Sequence, residues 1–208
     1  MTDQEFYGDV YPVLGMAEQF LLELVAEYPG YGDGSPEYRQ IIACQSRIKS
    51  ADSMMHKLEK RGFEVSRQSA LKNAYDAVGI RIICGFFDDV YKVAGWLEEN
   101  KAIQILQKKD YIAFPKPNGY RSLHLCLRIC KGSAAGVHAE IQIRTMAIDF
   151  WATLEHQLKY KKEIVHEDLI RKELKRCADE IAATDMSMQT IRDMLELKHE
   201  WPAGIQGT

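Results

Sequence analysis

No stretch of this chain approaches the about 18 consecutive apolar residues that a transmembrane helix requires. The N-terminus, Met1-Thr2-Asp3-Gln4-Glu5, is acidic and leads into no apolar segment, which argues against a signal peptide and makes the cytoplasm the expected compartment. Cysteine is sparse: Cys44, Cys84, Cys126, Cys130 and Cys177 are odd in number, and no pair has CxxC spacing. That argues against a secreted disulfide framework and against a structural zinc site. Neither charge sign dominates, since Lys and Arg total 27, Asp and Glu total 30, and the net charge is −3. A weakly acidic chain is poorly suited to broad non-specific nucleic-acid binding. Internal repeats, low-complexity segments, a Walker A motif, GxGxxG and HExxH are all missing.

What is present is an ordinary globular composition, 46% hydrophobic over 208 residues, enough for one domain with its own core. Leu14, Phe20, Leu21, Leu24 and Val25 place an apolar stripe on a helix from Tyr11 to Tyr28, ended by Pro29-Gly30-Tyr31-Gly32-Asp33-Gly34. Ser35 as N-cap and Pro36 at the first position predict a second helix through about Arg47, and a third covers Ala51 to Arg61. The pattern then changes. Val78 to Cys84 is β-branched and reads as a buried strand, Asp88 to Asn100 as a helix and Ala102 to Gln107 as a strand. Arg121 to Cys130 and Val137 to Arg144 alternate with period two, the mark of strands with one face in a core. Helices follow from Thr145 to Tyr160 and from about Glu167 to Lys198, with Met186, Met188 and Met194 read as packing residues and the tail from Pro202 as frayed. The expected fold class is α+β, a mixed sheet flanked by helices. Residues 1–40 form an N-terminal helical region, 41–165 the core and 166–208 a C-terminal helical region of one domain.

The alternating strands expose an unusual set: Ser122, His124 and Cys126 on one, His138, Glu140, Gln142 and Arg144 on the other. Such a mixture suits a polar ligand as well as it suits a solvated face. The loop Phe114-Pro115-Lys116-Pro117-Asn118-Gly119-Tyr120-Arg121 has two prolines and an Asn-Gly turn signal, and it presents Tyr120 and Arg121 at the mouth of that face. Tyr120 could stack on a flat ligand, and Lys108, Lys109, Lys116 and Arg121 could meet phosphates. Lys49, Ser53 and Lys57 share one helix face near its start, which fits a polyphosphate chain or simply a solvated surface. Asp76 precedes the buried strand, and together with Glu140 it could hold Mg²⁺, which needs few protein oxygens when phosphates supply the rest.

In order along the chain, Arg47-Ile48-Lys49-Ser50 with Lys57, Asp76-x-x-Gly79-x-Arg81, Lys109-Asp110-Tyr111 through His124, Glu140-Ile141-Gln142-Ile143-Arg144-Thr145 and Phe150-Trp151-Ala152-Thr153-Leu154-Glu155-His156 resemble the synthetase domain of the RelA/SpoT family. The likeness is to its single-domain members, the small alarmone synthetases. It implies a nucleotidyltransferase-like synthetase fold and transfer of the β,γ-pyrophosphate of ATP to the 3′-hydroxyl of GDP or GTP. It implies Mg²⁺ held by Asp76 and Glu140, with Glu140 placed to take the 3′-hydroxyl proton. On the donor side it implies Arg47 and Arg81 flanking adenine, and Lys49, Ser53 and Lys57 on the phosphates. On the acceptor side it implies Tyr120 stacked on guanine, with Lys108, Lys109, Lys116, Asn118, Arg121, His124, Gln142, Arg144, Asp149 and Ala152 around the nucleotide. It implies a homotetramer, and synthesis without hydrolysis, because the chain contains no His-Asp dipeptide. Two positions depart from family patterns: Gln107 stands at the head of Lys108-Lys109-Asp110 where bifunctional members carry Arg, and Asp149 stands where some small synthetases carry Asn. Two other readings keep the fold: modification of tRNA 3′ ends, which needs a basic docking surface, and a non-catalytic nucleotide sensor, which intact Asp76 and Glu140 oppose.

Overall fold

The computed structural model describes residues 1–31, 39–159 and 166–199. A short helix α1 (Asp3–Tyr7) and a single 3₁₀ turn lead into α2 (Tyr11–Ala26). Then follow β1 (Ile41–Ile48), α3 (Ala51–Lys60), α4 (Arg67–Asn73), β2 (Val78–Cys84), α5 (Phe87–Glu99), β3 (Ile103–Asp110), β4 (Leu123–Ile129), β5 (His138–Thr145), α6 (Met146–Lys159) and α7 (Glu167–His199). The five strands form one mixed sheet in the order β1-β2-β5-β4-β3. Only β2 and β5 run parallel, with Gly79 opposite Glu140 and Arg81 opposite Gln142.

The alternation of apolar residues sets the two faces of this sheet. Val78, Ile80 and Ile82 of β2, Ala139, Ile141 and Ile143 of β5, and Leu123, Leu125, Leu127 and Ile129 of β4 are all buried in one core with α2 and α5. Burial of that many branched side chains, each worth roughly 1.5–3 kcal/mol, fixes the register, because a slip by one residue would turn every one of them outward. The opposite face carries Arg47, Gly79, Arg81, Glu140, Gln142, Arg144 and His124. Among the described residues no helix is long and apolar enough to cross a membrane, and all five cysteines are free thiols.

Three expectations are corrected. The segment up to Arg47 is not helical where it is described: Ile41–Ile48 is an edge strand paired antiparallel with β2, while residues 32–38, including Ser35 and Pro36, lie outside the described residues. Its β-branched ends, Ile41, Ile42 and Ile48, and its pairing partner outweigh the capping signal that preceded it. The strand expected at 102–107 extends to Asp110, because Lys108, Lys109 and Asp110 keep pairing with Leu125, His124 and Leu123 past a bulge at Ile105/Gln107. Met186, Met188 and Met194 are each half exposed or more instead of packed. Residues 160–165 and the tail from 200 lie outside the described residues, and helix α4 has no counterpart in the periodicity.

The junction of β5 with α6 and α7 rests on a buried polar pair. Thr145 caps α6 by accepting from the Ile148 amide at 3.1 Å and donates its hydroxyl to Asp185 of α7, itself almost fully buried. Burial raises the Asp185 carboxyl above its ordinary range, with the Thr145 hydrogen bond opposing. Thr145→Val should cost about 2–4 kcal/mol in urea unfolding, the loss of a cap plus a buried acceptor left without its donor. Asp185→Asn in the same background should recover part of that loss; no recovery would mean that the cap carries all of the effect.

Candidate active site

The polar face of the sheet opens into a cleft of about 200 Å³ lined by Gln45, Ser46, Arg47, Asp76, Gly79, Ile80, Arg81, Glu140 and Gln142. Four segments meet there: β1, the approach to β2, β2 itself and β5. Gly79 lines the cleft between Arg47 and Glu140, and a β-carbon there would make only ordinary contact with Arg47 at 3.8 Å. Gln45, which the sequence reading passed over inside a supposed helix, lines the cleft because β1 places it opposite Arg81.

At one end of the cleft Asp76 is gripped by two lysines, Lys49 Nζ at 3.1 Å from Oδ2 and Lys57 Nζ at 2.5 Å from Oδ1. Burial works to raise the Asp76 carboxyl, but the two ammonium groups outweigh it and hold it below the ordinary carboxylate range. Burial likewise draws the Lys57 ammonium down, against the pull of Asp76. Lys49 and Lys57 are thus brought together on Asp76, although Lys49 precedes the N-cap Ser50 and lies outside the helix face expected to carry it. Ser53 lies one turn into α3, where its amide donates to the capping Ser50 hydroxyl at 3.4 Å.

Glu140 belongs to a closed ring of side chains. Its Oε2 accepts from Gln142 Nε2 at 2.8 Å, Gln142 Oε1 accepts from Arg144 Nη2 at 2.9 Å, and the same Nη2 donates to the Tyr120 hydroxyl at 2.9 Å. Tyr120 lies 2.8 Å from His124 Nε2, and His124 Nδ1 lies 3.3 Å from Glu140 Oε1. Ionised Glu140 can only accept, so His124 Nδ1 carries a proton toward it, while Nε2 faces the Tyr120 hydroxyl. Burial works to raise the Glu140 carboxyl, but the His124 hydrogen bond and charge, the Gln142 amide and Lys57 together take it from its ordinary 4.5 to about 2. It is an anion near neutral pH, available to a cation.

The loop before β4 positions Tyr120. Gly119 has φ of +89°, and a β-carbon there would lie 2.6 Å from the Ala178 side chain, so both the backbone and the contact with α7 demand glycine. Asn118 donates to Glu155 of α6 at 3.0 Å and accepts from the Tyr120 amide at 3.3 Å. Lys116 Nζ sits over the rings of Tyr111 and Tyr120 at 4.5 and 4.7 Å. Tyr111, given no role from sequence, also meets the His124 ring edge-on at 5.2 Å.

The structure separates the remaining candidates. Lys109 pairs across from His124 and therefore shares the polar face. Lys108, one residue earlier, points to the helix side and bonds Glu98 of α5 at 2.6 Å, so the acceptor-site expectation for it is withdrawn. Period-two alternation settles this once the strand is known to reach Asp110. Arg121 also turns away, donating to the Gly119 and Ala178 carbonyls and to Asp179 at 3.1–3.3 Å; it fastens the loop to α7. Ala152 is buried in a small cluster with Trp151 and Ala178 against which Tyr120 packs. Asp149 Oδ1 accepts from Arg144 at 3.0 Å and lies 3.5 Å from Arg81 Nη1. The Nε groups of Arg81 and Arg144 are buried with no acceptor among the described residues.

Residues 46–165 match the region found in RelA / SpoT proteins. The GTP pyrophosphokinase YwaC of Bacillus subtilis (strain 168) is 40% identical over 151 residues, 71% of this chain and 72% of that protein. The GTP pyrophosphokinase YjbM of the same organism is 34% identical over 195 residues, 92% of this chain and 90% of that one. The crystal structure of small alarmone synthetase 1 from Bacillus subtilis bound to its product pppGpp superposes with a TM-score of 0.77 at 29% identity, covering 92% of this chain and 98% of that one. With the matched region spanning the cleft from Ser46 to Gln142 and the loop before β4, this chain belongs to the RelA/SpoT family.

Proposed function

We propose that this chain is a GTP pyrophosphokinase, transferring the β,γ-pyrophosphate of ATP to the 3′-hydroxyl of GDP or GTP to make ppGpp or pppGpp. The observation that carries the reading is the pairing of two ionised carboxylates, Asp76 and Glu140, in one cleft walled by Arg47 and Arg81 and bordered by Lys49 and Lys57. In the transfer the 3′-oxygen bonds to the β-phosphorus, the bond from that phosphorus to the α,β-bridging oxygen breaks, and AMP leaves. Little covalent chemistry falls to the protein, so placement and charge compensation supply most of the acceleration.

Asp76 and Glu140 are hard oxygen donors, and among the described residues no group of three or more His, Cys, Asp or Glu forms a closed metal cage. Two carboxylates in an open cleft fit Mg²⁺, which takes the rest of its oxygens from phosphates and water. When bound, Mg²⁺ would neutralise phosphate charge and stabilise the charge that develops during transfer. Lys49 and Lys57, now held by Asp76, are within reach of a triphosphate at the start of α3, and Arg47 and Arg81 offer planar guanidinium faces to the adenine. Glu140 at about 2 is a feeble proton acceptor by itself. Polyphosphate arriving beside it raises its basicity and a bound Mg²⁺ would lower it, so its part is to orient the 3′-hydroxyl and to receive its proton as the bond to phosphorus forms. Tyr120 offers its ring to guanine once Lys116 moves off it toward the acceptor's phosphates. The same reading places the enzyme in the cytoplasm, in keeping with its five free thiols. The family resemblance implies a homotetramer, and the exposed ridge Met146, Phe150, Leu154 and Leu158 along α6 supports association, whose stoichiometry light scattering gives.

A free nucleotide is favoured over tRNA by the charge pattern of α7. Arg171, Lys175 and Arg176 are each engaged by Glu167, Asp179, Glu173 or Glu180 on the same helix, which leaves them neutralised on a solvated face. Incubation with γ-labelled ATP, Mg²⁺ and either GDP, GTP or deacylated tRNA should label the guanine nucleotides alone. Label on tRNA instead would overturn the choice of acceptor, and label on neither would overturn the enzyme.

Asp76→Asn and Glu140→Gln are isosteric and should each lower kcat by at least about a hundredfold with the fold intact, the loss expected when a charge facing the transferring phosphates is deleted. The Glu140 substitution carries a further signature. A depressed carboxylate stabilises the fold above its unfolded value of 4.5 and loses that contribution as pH falls towards about 2. The stability gap between wild type and Glu140→Gln, followed by thermal melts, should therefore narrow below pH 4.5.

Tyr120 separates ring from hydroxyl. Tyr120→Ala should raise the acceptor KM by about fivefold to a hundredfold, the value of one base–aromatic stack, with little change in the binding of ATP alone. Tyr120→Phe keeps the ring and should raise it much less. Equal effects of Tyr120→Ala on both substrates would reduce the residue to loop packing.

A further inference from the structure

Asp149 stands in the first turn of α6, and one of its oxygens faces two guanidinium groups. Arg144 Nη1 donates to Oδ1 at 3.0 Å, and Arg81 Nη1 lies 3.5 Å from the same atom. These arginines serve different sides of the site. Arg81 lines the cleft that holds Asp76 and Glu140, whereas Arg144 lies in the ring behind it and gives its Nη2 to the hydroxyl of Tyr120. Stapling β5 to α6 needs only the Arg144 contact. The second guanidinium brings repulsion with it: burial and Arg144 both draw Arg81 down, against the pull of Asp149.

One carboxylate therefore answers to two cations, and what one takes the other loses. Their freedom differs. The Arg81 side chain is 30% exposed and can turn into the cleft, while that of Arg144 is 5% exposed and held by Gln142 and Tyr120. A ligand in the cleft that engages Arg81 leaves Asp149 to Arg144 alone. Arg144 is then fixed more firmly, and with it the tyrosine it holds.

Resting on the pyrophosphokinase reading, we propose that Asp149 is a positioning residue that couples the donor cleft to the acceptor side, so that a bound donor nucleotide tightens acceptor binding through Arg81, Asp149, Arg144 and Tyr120. Such coupling is reciprocal, and each nucleotide strengthens the other by the same factor. It requires the donor to distinguish two states, Arg81 on Asp149 and Arg81 turned into the cleft.

The test is calorimetric titration of GDP into the full chain, with Mg²⁺ present, with and without saturating AMPCPP, an ATP analogue whose α,β-bridge cannot be cleaved. Wild type should bind GDP about tenfold more tightly with AMPCPP, within the usual range for coupled sites. Asp149→Asn and Asp149→Ala should each bring that factor below about twofold, while melting shows the variants folded. A wild-type factor of one overturns the coupling without recourse to any variant. Retention of the full factor in both variants reduces Asp149 to a staple. Loss of the preference for GDP over IDP with the factor unchanged would mean that the carboxylate reads the base directly, which also overturns the proposal. No binding of either nucleotide by the wild type would defeat the pyrophosphokinase reading itself.

Discussion

The parallel pairing of β2 with β5 at the middle of the sheet is the interaction on which the site depends. Asp76 and Glu140 are separated by more than sixty positions in the chain, and no local structure could bring them together. Register does so. With Gly79 set opposite Glu140, the residues just before β2 arrive at the end of the cleft that Glu140 walls. That register is held from behind by Val78, Ile80 and Ile82 packing beside Ala139, Ile141 and Ile143, all buried. The apolar face thus sets the geometry of the polar one, and a shift by one residue would carry Glu140 into the core.

On this frame the electrostatics are arranged in pairs that a substrate can exchange. Lys49 and Lys57 neutralise Asp76, and Asp149 divides itself between Arg81 and Arg144. Each cation is kept near the position where a phosphate or a flat base needs it, and Asp76 and Glu140 are kept ionised despite burial. Holding charges in place before the reaction is the form of catalysis that a fixed low-dielectric cleft does best. The ring from Tyr120 to Glu140 through His124, and back through Gln142 and Arg144, adds stiffness to the acceptor side.

Much of this was legible in the sequence because alternation leaves a direct record. His124, Glu140, Gln142 and Arg144 were read as one face from period two alone, and they share that face. The failures also have physical causes. Gln45 was lost inside a supposed helix because capping residues are a local signal, whereas an edge strand is stabilised by a partner some forty residues away. Lys108 and Arg121 looked like phosphate ligands by charge, but charge carries no direction. The strand register sends one to Glu98, and the Gly119 turn sends the other to Asp179. Asp149 showed only as a departure from a family pattern; its two arginines lie on separate strands and meet only in three dimensions.

Gly119 and Ala178 meet too closely for either to grow: a single added carbon on Gly119 would come within 2.6 Å of the helix side chain. Loop and helix thus form one mechanical part although they are distant in sequence. Transplanting residues 111–121 into another scaffold would carry the turn but not its seat. The graft would hold its tyrosine only where the recipient presents an equally small residue on the facing helix, since the turn's own backbone already fixes the glycine.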